Sequence, residues 1–231
     1  MALRRVQSHH VLRRPAHSAF QASKRFASSS PPLPVPTSAA LLRSVVQNAK
    51  SLLHFRELRH SIVPSLPTLQ KWHVCANLQV LEEPLQIDDF LDGATTAVDA
   101  VLHEMYSDAF RAYVADSSTV SDEVQWMQSI MSPKRFQACV FEIQEAKKRG
   151  MRYDLRHVRF ANVAVFEACV TEYKMQLQVH CDMVHTVRVT SGHRDFQVQK
   201  SSSMLWTFES DTHKDRRDWK IVDFHDIDLH D

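Results

Sequence analysis

Glycine is almost missing from this chain: three in 231 residues, Gly93, Gly150 and Gly192. Phosphate loops of the dinucleotide or P-loop kind need several glycines within a few positions, so that backbone N–H groups can close on the phosphate, and neither kind fits here. Cysteine is also sparse. Cys75, Cys139, Cys169 and Cys181 form no C-x-x-C pair, which argues against a zinc ribbon or a thioredoxin-like site and leaves four unpaired thiols. No apolar run approaches the roughly 20 residues that a bilayer-spanning helix requires.

Acid is missing from one region. Residues 1–56 contain nine Lys and Arg and no Asp or Glu, where the chain average predicts about six or seven acids. Arg4, Arg5, Arg13, Arg14, Lys24 and Arg25 stand among Leu3, Val6, Val11, Leu12 and Phe20, so a helix there is basic and amphipathic. A secretory signal would follow its charges with an uninterrupted apolar stretch, and none occurs. The pattern is that of a mitochondrial presequence over residues 1–30, with Arg25-Phe26-Ala27-Ser28 resembling a matrix-protease cleavage site. The alternative is a basic tail that binds anionic surfaces without specificity. Taking residues 1–30 away removes six basic side chains and leaves 22 against 27 acidic ones, about −5, a poor charge for wrapping nucleic acid.

Residues 31–67 read as a linker and one helix. Ser28-Ser29-Ser30-Pro31-Pro32-Leu33-Pro34-Val35-Pro36 cannot continue a helix and is extended. Thr37 or Ser38 then caps a helix in which Leu41, Leu42, Val45, Val46, Ala49, Leu52 and Leu53 form a stripe, with Arg43, Lys50, Arg56 and Arg59 off it or at its end. Such a helix lies in an anionic membrane interface or packs on the domain or on a partner, and the expected membrane or partner contact residues are Leu41, Leu42, Arg43, Val45, Val46, Lys50 and Leu53.

Residues 68–231 form the expected domain. Residues 68–83 carry no clear period. Ile87, Phe90, Leu91, Ala94, Val98, Val101, Leu102 and Met105 share one helical face, which the pattern allows to run on through Phe110 and Tyr113. A shorter helix covers Ser121 to Met131. Next, Ser132 is an N-cap, Pro133 opens the first turn and Gly150 stops a helix ending in Lys147, Lys148 and Arg149. Beyond Gly150 the period becomes two. Phe160 to Cys169 reads as a strand, Tyr173 to Met183 alternates strictly, Thr190 to His193 is a turn, and a strand holding Met204, Trp206 and Phe208 leads through a loop at 211–218 to a last strand with Trp219, Ile221 and Phe224. Helices followed by a meander predict an α+β fold, with helices packed on one face of a curved antiparallel sheet.

These residues carry a family pattern. Ser132-Pro133-Lys134-Arg135-Phe136, the helix end Lys148-Arg149-Gly150, the strand with Ala164 and Val165, the long alternating strand, Trp206-Thr207-Phe208 and Trp219-Lys220-Ile221-Val222 together resemble the Tim-forty-four-like domain, over about residues 86–227. That resemblance implies a cone-shaped fold of the nuclear transport factor two superfamily. It also implies work at the matrix face of the mitochondrial inner membrane, as the tether of the import motor, as the protein-forty-five type of the mitochondrial large ribosomal subunit, or as a related ribosome receptor. The chain lacks the long charged helical region of the import tether, so the ribosomal and receptor branch is favoured. The expected partners are the mitochondrial ribosome or the import translocon, together with anionic lipid of the inner membrane. No cofactor, metal or small-molecule substrate is expected. An assembly factor or supernumerary subunit of a respiratory complex fits the same residues.

An enzyme of that superfamily would place an Asp or His in its cavity as general base, and the candidates are Asp154, His157, His180, Asp182 and His185. The alternation puts His180 and Asp182 opposite Met175, Leu177 and Val179, toward solvent or a partner, so a non-catalytic protein is expected. Asp226, Asp228 and His230 alternate as metal ligands would, although a solvated tail is the commoner meaning. Trp206, Phe208, Trp219 and Phe224 suggest either a base-stacking surface or cross-strand core pairs. The expected RNA or partner face is basic: Lys134, Arg135, Lys147, Lys148, Arg149, Arg152, Arg156 and Arg159.

Overall fold

A computed structural model describes residues 55–56, 58–80, 85–212 and 218–227, and among these described residues the chain forms five helices and four strands. The expected presequence, the proline-rich linker and the amphipathic stripe from Leu41 to Leu53 lie outside these residues, as do Asp228 and His230. Helix α1 spans Thr68–Leu78, α2 Ile87–Met105, α3 Asp108–Ala115, α4 Asp122–Ile130 and α5 Pro133–Lys148. The strands are β1 Met151–Val170, β2 Lys174–Ser191, β3 Arg194–Asp211 and β4 Lys220–Asp226, antiparallel in the order β1-β2-β3-β4. The molecule is α+β.

Serine caps mark three helix starts, each hydroxyl accepting an N–H that would otherwise be unpaired. Ser107 accepts from Phe110 N, Ser121 from Val124 N and Ser132 from Arg135 N. The first of these corrects the sequence reading, because the long helix stops at Met105 and Ser107 starts a separate one. Helix α1 fills the stretch that showed no period. It has no side-chain cap, yet Val74, Cys75, Ala76 and Leu78 are buried, and Phe55 stacks on Trp72 with ring centroids 3.9 Å apart. Packing, not propensity, holds it.

The packed unit also reaches back past the expected boundary at residue 68. Leu58, Ile62 and Val63 are buried, Ile62 bridges Val165 in parallel, and Val63 N donates to Val165 O at 3.0 Å. This segment therefore lies along the free edge of β1.

Strand β1 begins nine residues before the expected Phe160. Its register on β2 shifts at Leu155/His157, Phe160/Asn162 and Val165/Glu167. Each bulge adds one residue and resets the phase. Residues paired with the core side of β2, among them Leu155, Val158, Phe160, Val163, Val165, Ala168 and Val170, thus recur at alternating intervals of two and three. No simple alternation survives to be read. Strand β2 pairs with β3 without a shift, and Gly192, at φ +58°, supplies the left-handed residue of the turn between them.

The core joins the odd positions Met175 to Met183 of β2 to Trp206, Phe208, Ile221 and Phe224 and to the inner faces of α2, α4 and α5. Trp206 is fully buried and stacks on Phe224 at 4.0 Å. Of the four aromatics weighed as a base-stacking surface, three are core and Trp219 is partly buried against Phe90 at 4.6 Å. Cys75, Cys139 and Cys181 are buried and free, and burial pushes each thiol up to about 12. They are inert apolar filling.

Candidate functional site

The basic residues singled out in the sequence fall into two places. Lys134 and Arg135 open α5, whereas Lys147, Lys148 and Arg149 close it, thirteen residues away or about 20 Å along the axis. Arg135 belongs to the core side. Its guanidinium carbon sits 3.5 Å from the Phe224 ring centre, its NH2 nitrogen pairs with Glu142 at 3.2 Å, and only 12% of the side chain is exposed. It covers an aromatic of the last strand, and so drops out of the expected basic face. Lys134 is exposed but stands alone at that end.

Lys147, Lys148, Arg149 and Arg152 lie where α5 turns into β1, and Arg156 and Arg159 lie farther along the strand, Arg159 about 25–30 Å beyond the turn at the strand rise. Gly150, at φ +66°, makes the turn, so that Arg152, Arg156 and Arg159 follow the lysines at the helix end. Arg156 occupies the extra position of a bulge. Lys147, Arg149, Arg156 and Arg159 are exposed and form no ion pair among the described residues, while Lys148 pairs with Glu145 at 2.7 Å.

Arg152 is engaged in a charge network that the sequence did not announce. Arg111 of α3 donates to Asp108 Oδ1 at 2.8 Å and to Asp154 Oδ1 at 3.0 Å, and also to the carbonyls of Tyr106 and Tyr153. Arg152 donates to the same two carboxylates, at 3.2 Å to Asp108 and 3.1 Å to Asp154. Two arginines and two aspartates neutralise one another, and the guanidinium of Arg111 holds the Asp108 carboxyl below its ordinary value. Asp154, once a candidate base, is a structural anion here. The signal for this joint was Ser107-Asp108, a cap inside what looked like one helix.

Beside the network lies a half-open cavity of ≈ 300 Å³. It is lined by Tyr106, Val114, Ile143, Ala146, Met151 and Tyr153 together with the cations Arg111, Lys147 and Arg152. A second, more open hollow of ≈ 400 Å³ shares Val114 and Lys147 with it and extends to Ala115, Gln144 and Lys148. Together they make a groove between α3, α5 and the start of β1, lined by apolar and cationic side chains. The Tyr106 and Tyr153 rings meet edge to face at 6.3 Å, and burial pushes the Tyr106 hydroxyl well above its usual value. Among the described residues no carboxylate, imidazole or thiol lines either hollow. The arrangement is suited to holding an anionic group beside an apolar one.

The remaining candidate bases lie elsewhere. His157 is exposed on β1. His180, expected to face solvent or a partner, is 7% exposed, opposite Leu205 in the β2–β3 register and in contact with Ser203 on its diagonal. Ser203 Oγ donates to Asp182 Oδ1 at 2.6 Å, so the 2.6 Å contact with His180 Nε2 requires the imidazole to be the donor. In a hydrolytic triad the imidazole stands between serine and carboxylate. Here the serine stands between, its proton committed to the carboxylate. The His180 Nδ1 atom is buried without a partner. His185 meets Ser202 Oγ at 3.3 Å, and burial, followed by Lys200, lowers its pKa. Among the described residues no group of three or more His, Cys, Asp or Glu is placed to hold a metal.

No protein-family model and no curated protein matches this chain. Solved structures resemble it loosely. The intermembrane-space region of the chloroplast protein ARC6 aligns over 57% of this chain and 95% of its own at 8% identity, with TM-score 0.34. CagV, a VirB8 homolog of T4SS from Helicobacter pylori strain 26695, covers 58% and 95% at 9% identity, with TM-score 0.36. A de novo designed beta-sheet protein covers 61% and 88% at 13% identity, with TM-score 0.28.

Proposed function

We propose that this chain is a non-catalytic adaptor on the matrix side of the mitochondrial inner membrane, most naturally a protein of the large mitochondrial ribosomal subunit or a receptor for it. The finer fold reading, a cone of the nuclear transport factor two type, belongs to this proposal. The observation that carries it is the tract of exposed cations, Lys147, Arg149, Arg156 and Arg159, none in an ion pair among the described residues, that runs from the end of α5 along β1 on a domain that is otherwise acidic. A free cationic tract of this size is a docking surface for phosphate or carboxylate. The acid-free first 56 residues support delivery to mitochondria, and the stripe from Leu41 to Leu53 supplies contact with anionic lipid or a partner.

The deciding experiment is a sucrose gradient of mitochondria lysed in gentle detergent, with tagged full-length protein and with a Lys147→Glu, Arg149→Glu, Arg156→Glu variant. Comigration with the large ribosomal subunit, lost in the variant, is the expected result. Wild-type protein at the top of the gradient, or with an inner-membrane complex, overturns the ribosomal reading. In that case the import-motor tether, respiratory-complex assembly and small cavity enzyme readings come forward.

A further inference from the structure

Strand β4 covers only part of β3. The β3–β4 register runs from Met204 to Glu209, and Ile227 N adds one bond to Ser203 O at 2.7 Å. From Arg194 to Ser202, β3 has no neighbour on that side among the described residues. The bond to Ser203 fixes which backbone groups are open. Because the β2–β3 register has no bulge, odd positions turn their N–H and C=O toward the β4 side. Asp195, Gln197, Gln199 and Ser201 therefore present an unpaired ladder.

Natural edges are protected by proline, bulges or charge. This one has no proline and no bulge. Its acid, Asp195, is held by Arg188 across the β2–β3 pair, and Lys200 reaches Asp226 at 3.5 Å. On the helix-facing side Phe196 is 49% and Val198 40% exposed. An open ladder takes only another strand, and a nearly neutral one does not select a charged partner.

We infer that two copies of this chain pair edge to edge through Arg194–Ser202, antiparallel about a two-fold axis at Val198. Only one register uses all four open residues among themselves, with Asp195 opposite Ser201 and Gln197 opposite Gln199 of the second copy. The same register places Val198 against its own mate and Phe196 against Lys200, and sets Arg194 opposite Ser202, so like charges never face each other directly. Moving the centre to Gln197 would oppose Arg194 to Lys200. Moving it to Gln199 would call on Ser203, whose carbonyl is already taken. The inference stands apart from the adaptor reading.

Val198 falls at a non-hydrogen-bonded pair, where opposed Cα atoms lie about 4.5 Å apart, within disulfide range. The test uses the full chain in a Cys169→Ser background, since Cys169 is the one cysteine with appreciable exposure. Under mild oxidation Val198→Cys should link most of the chain into a covalent dimer, with Phe196→Cys alone giving little. In reducing buffer, light scattering should give twice the 26.6 kDa chain mass. Val198→Glu and Val198→Lys should each fall to single-chain mass, and an equimolar mixture of the two should recover the dimer. Single-chain mass for the wild type with no Val198→Cys link overturns the inference, as it would if another segment of this chain occupied the edge. A dimer that Val198→Cys fails to trap overturns it as well.

Discussion

At both ends of β3 the even, helix-facing positions are apolar, yet Trp206 is completely buried and Phe208 nearly so, while Phe196 and Val198 stand about half exposed. The two segments share a strand, a pairing partner and a chemistry. What separates them is cover: the residues around Trp206 meet the helices and β4, whereas Phe196 and Val198 extend along the hairpin beyond both. Alternation states that a strand has an apolar face. It does not state that anything lies on that face, because cover comes from elements distant in sequence.

The largest test of the comparison is truncation at its two ends. Trp206→Ala should cost about 3–5 kcal/mol, the transfer term plus an unfilled cavity. Phe196→Ala, measured on chain diluted below association, should stay within about 0.5 kcal/mol. Urea midpoints read both, and equal losses would break the distinction.

A smaller effect sits where the exposed half is tied down. Arg111 links α3 to the start of β1 through the Tyr153 carbonyl and Asp154. Arg111→Ala leaves those acceptors with fewer donors and should cost about 1–3 kcal/mol. Hydrogen exchange should rise at the amides of Tyr153 to Leu155 and stay unchanged around Val179. Uniform acceleration would mean that the two halves open as one unit.

The smallest is a pH effect at the border, where His185 pairs with Lys200 in the register. Its folded pKa lies below 6.5, so the unfolded chain takes up the proton first. Its contribution is complete above about pH 6.5 and declines as pH falls through that value toward the folded pKa. His185→Gln should flatten the stability profile in that window and leave it unchanged above. A profile unaltered by the substitution would remove His185 from the account.

Much of this architecture was legible. Ser121, Ser132, Pro133 and Gly150 mark helix ends through local hydrogen bonds and backbone preference, and the strict alternation of Met175 to Met183 marks a half-buried strand. Strand β1 was half hidden because three bulges shift its phase, and α1 was hidden because packing alone makes it a helix. The basic tract was legible as composition. That Arg135 leaves it for Phe224, that Arg152 joins Arg111 and two aspartates, and that Lys147 lines a groove together with apolar side chains were not, since each depends on residues from different elements.

The sequence by itself determined the class of the fold, the acid-free N-terminal stretch and the order of helices before strands, because these rest on interactions within a few residues. The tertiary structure alone decided, among the described residues, which cations remain free, which histidine is buried and where β3 is left without a neighbour. Those properties depend on how far one element extends past another, and no local pattern encodes that distance.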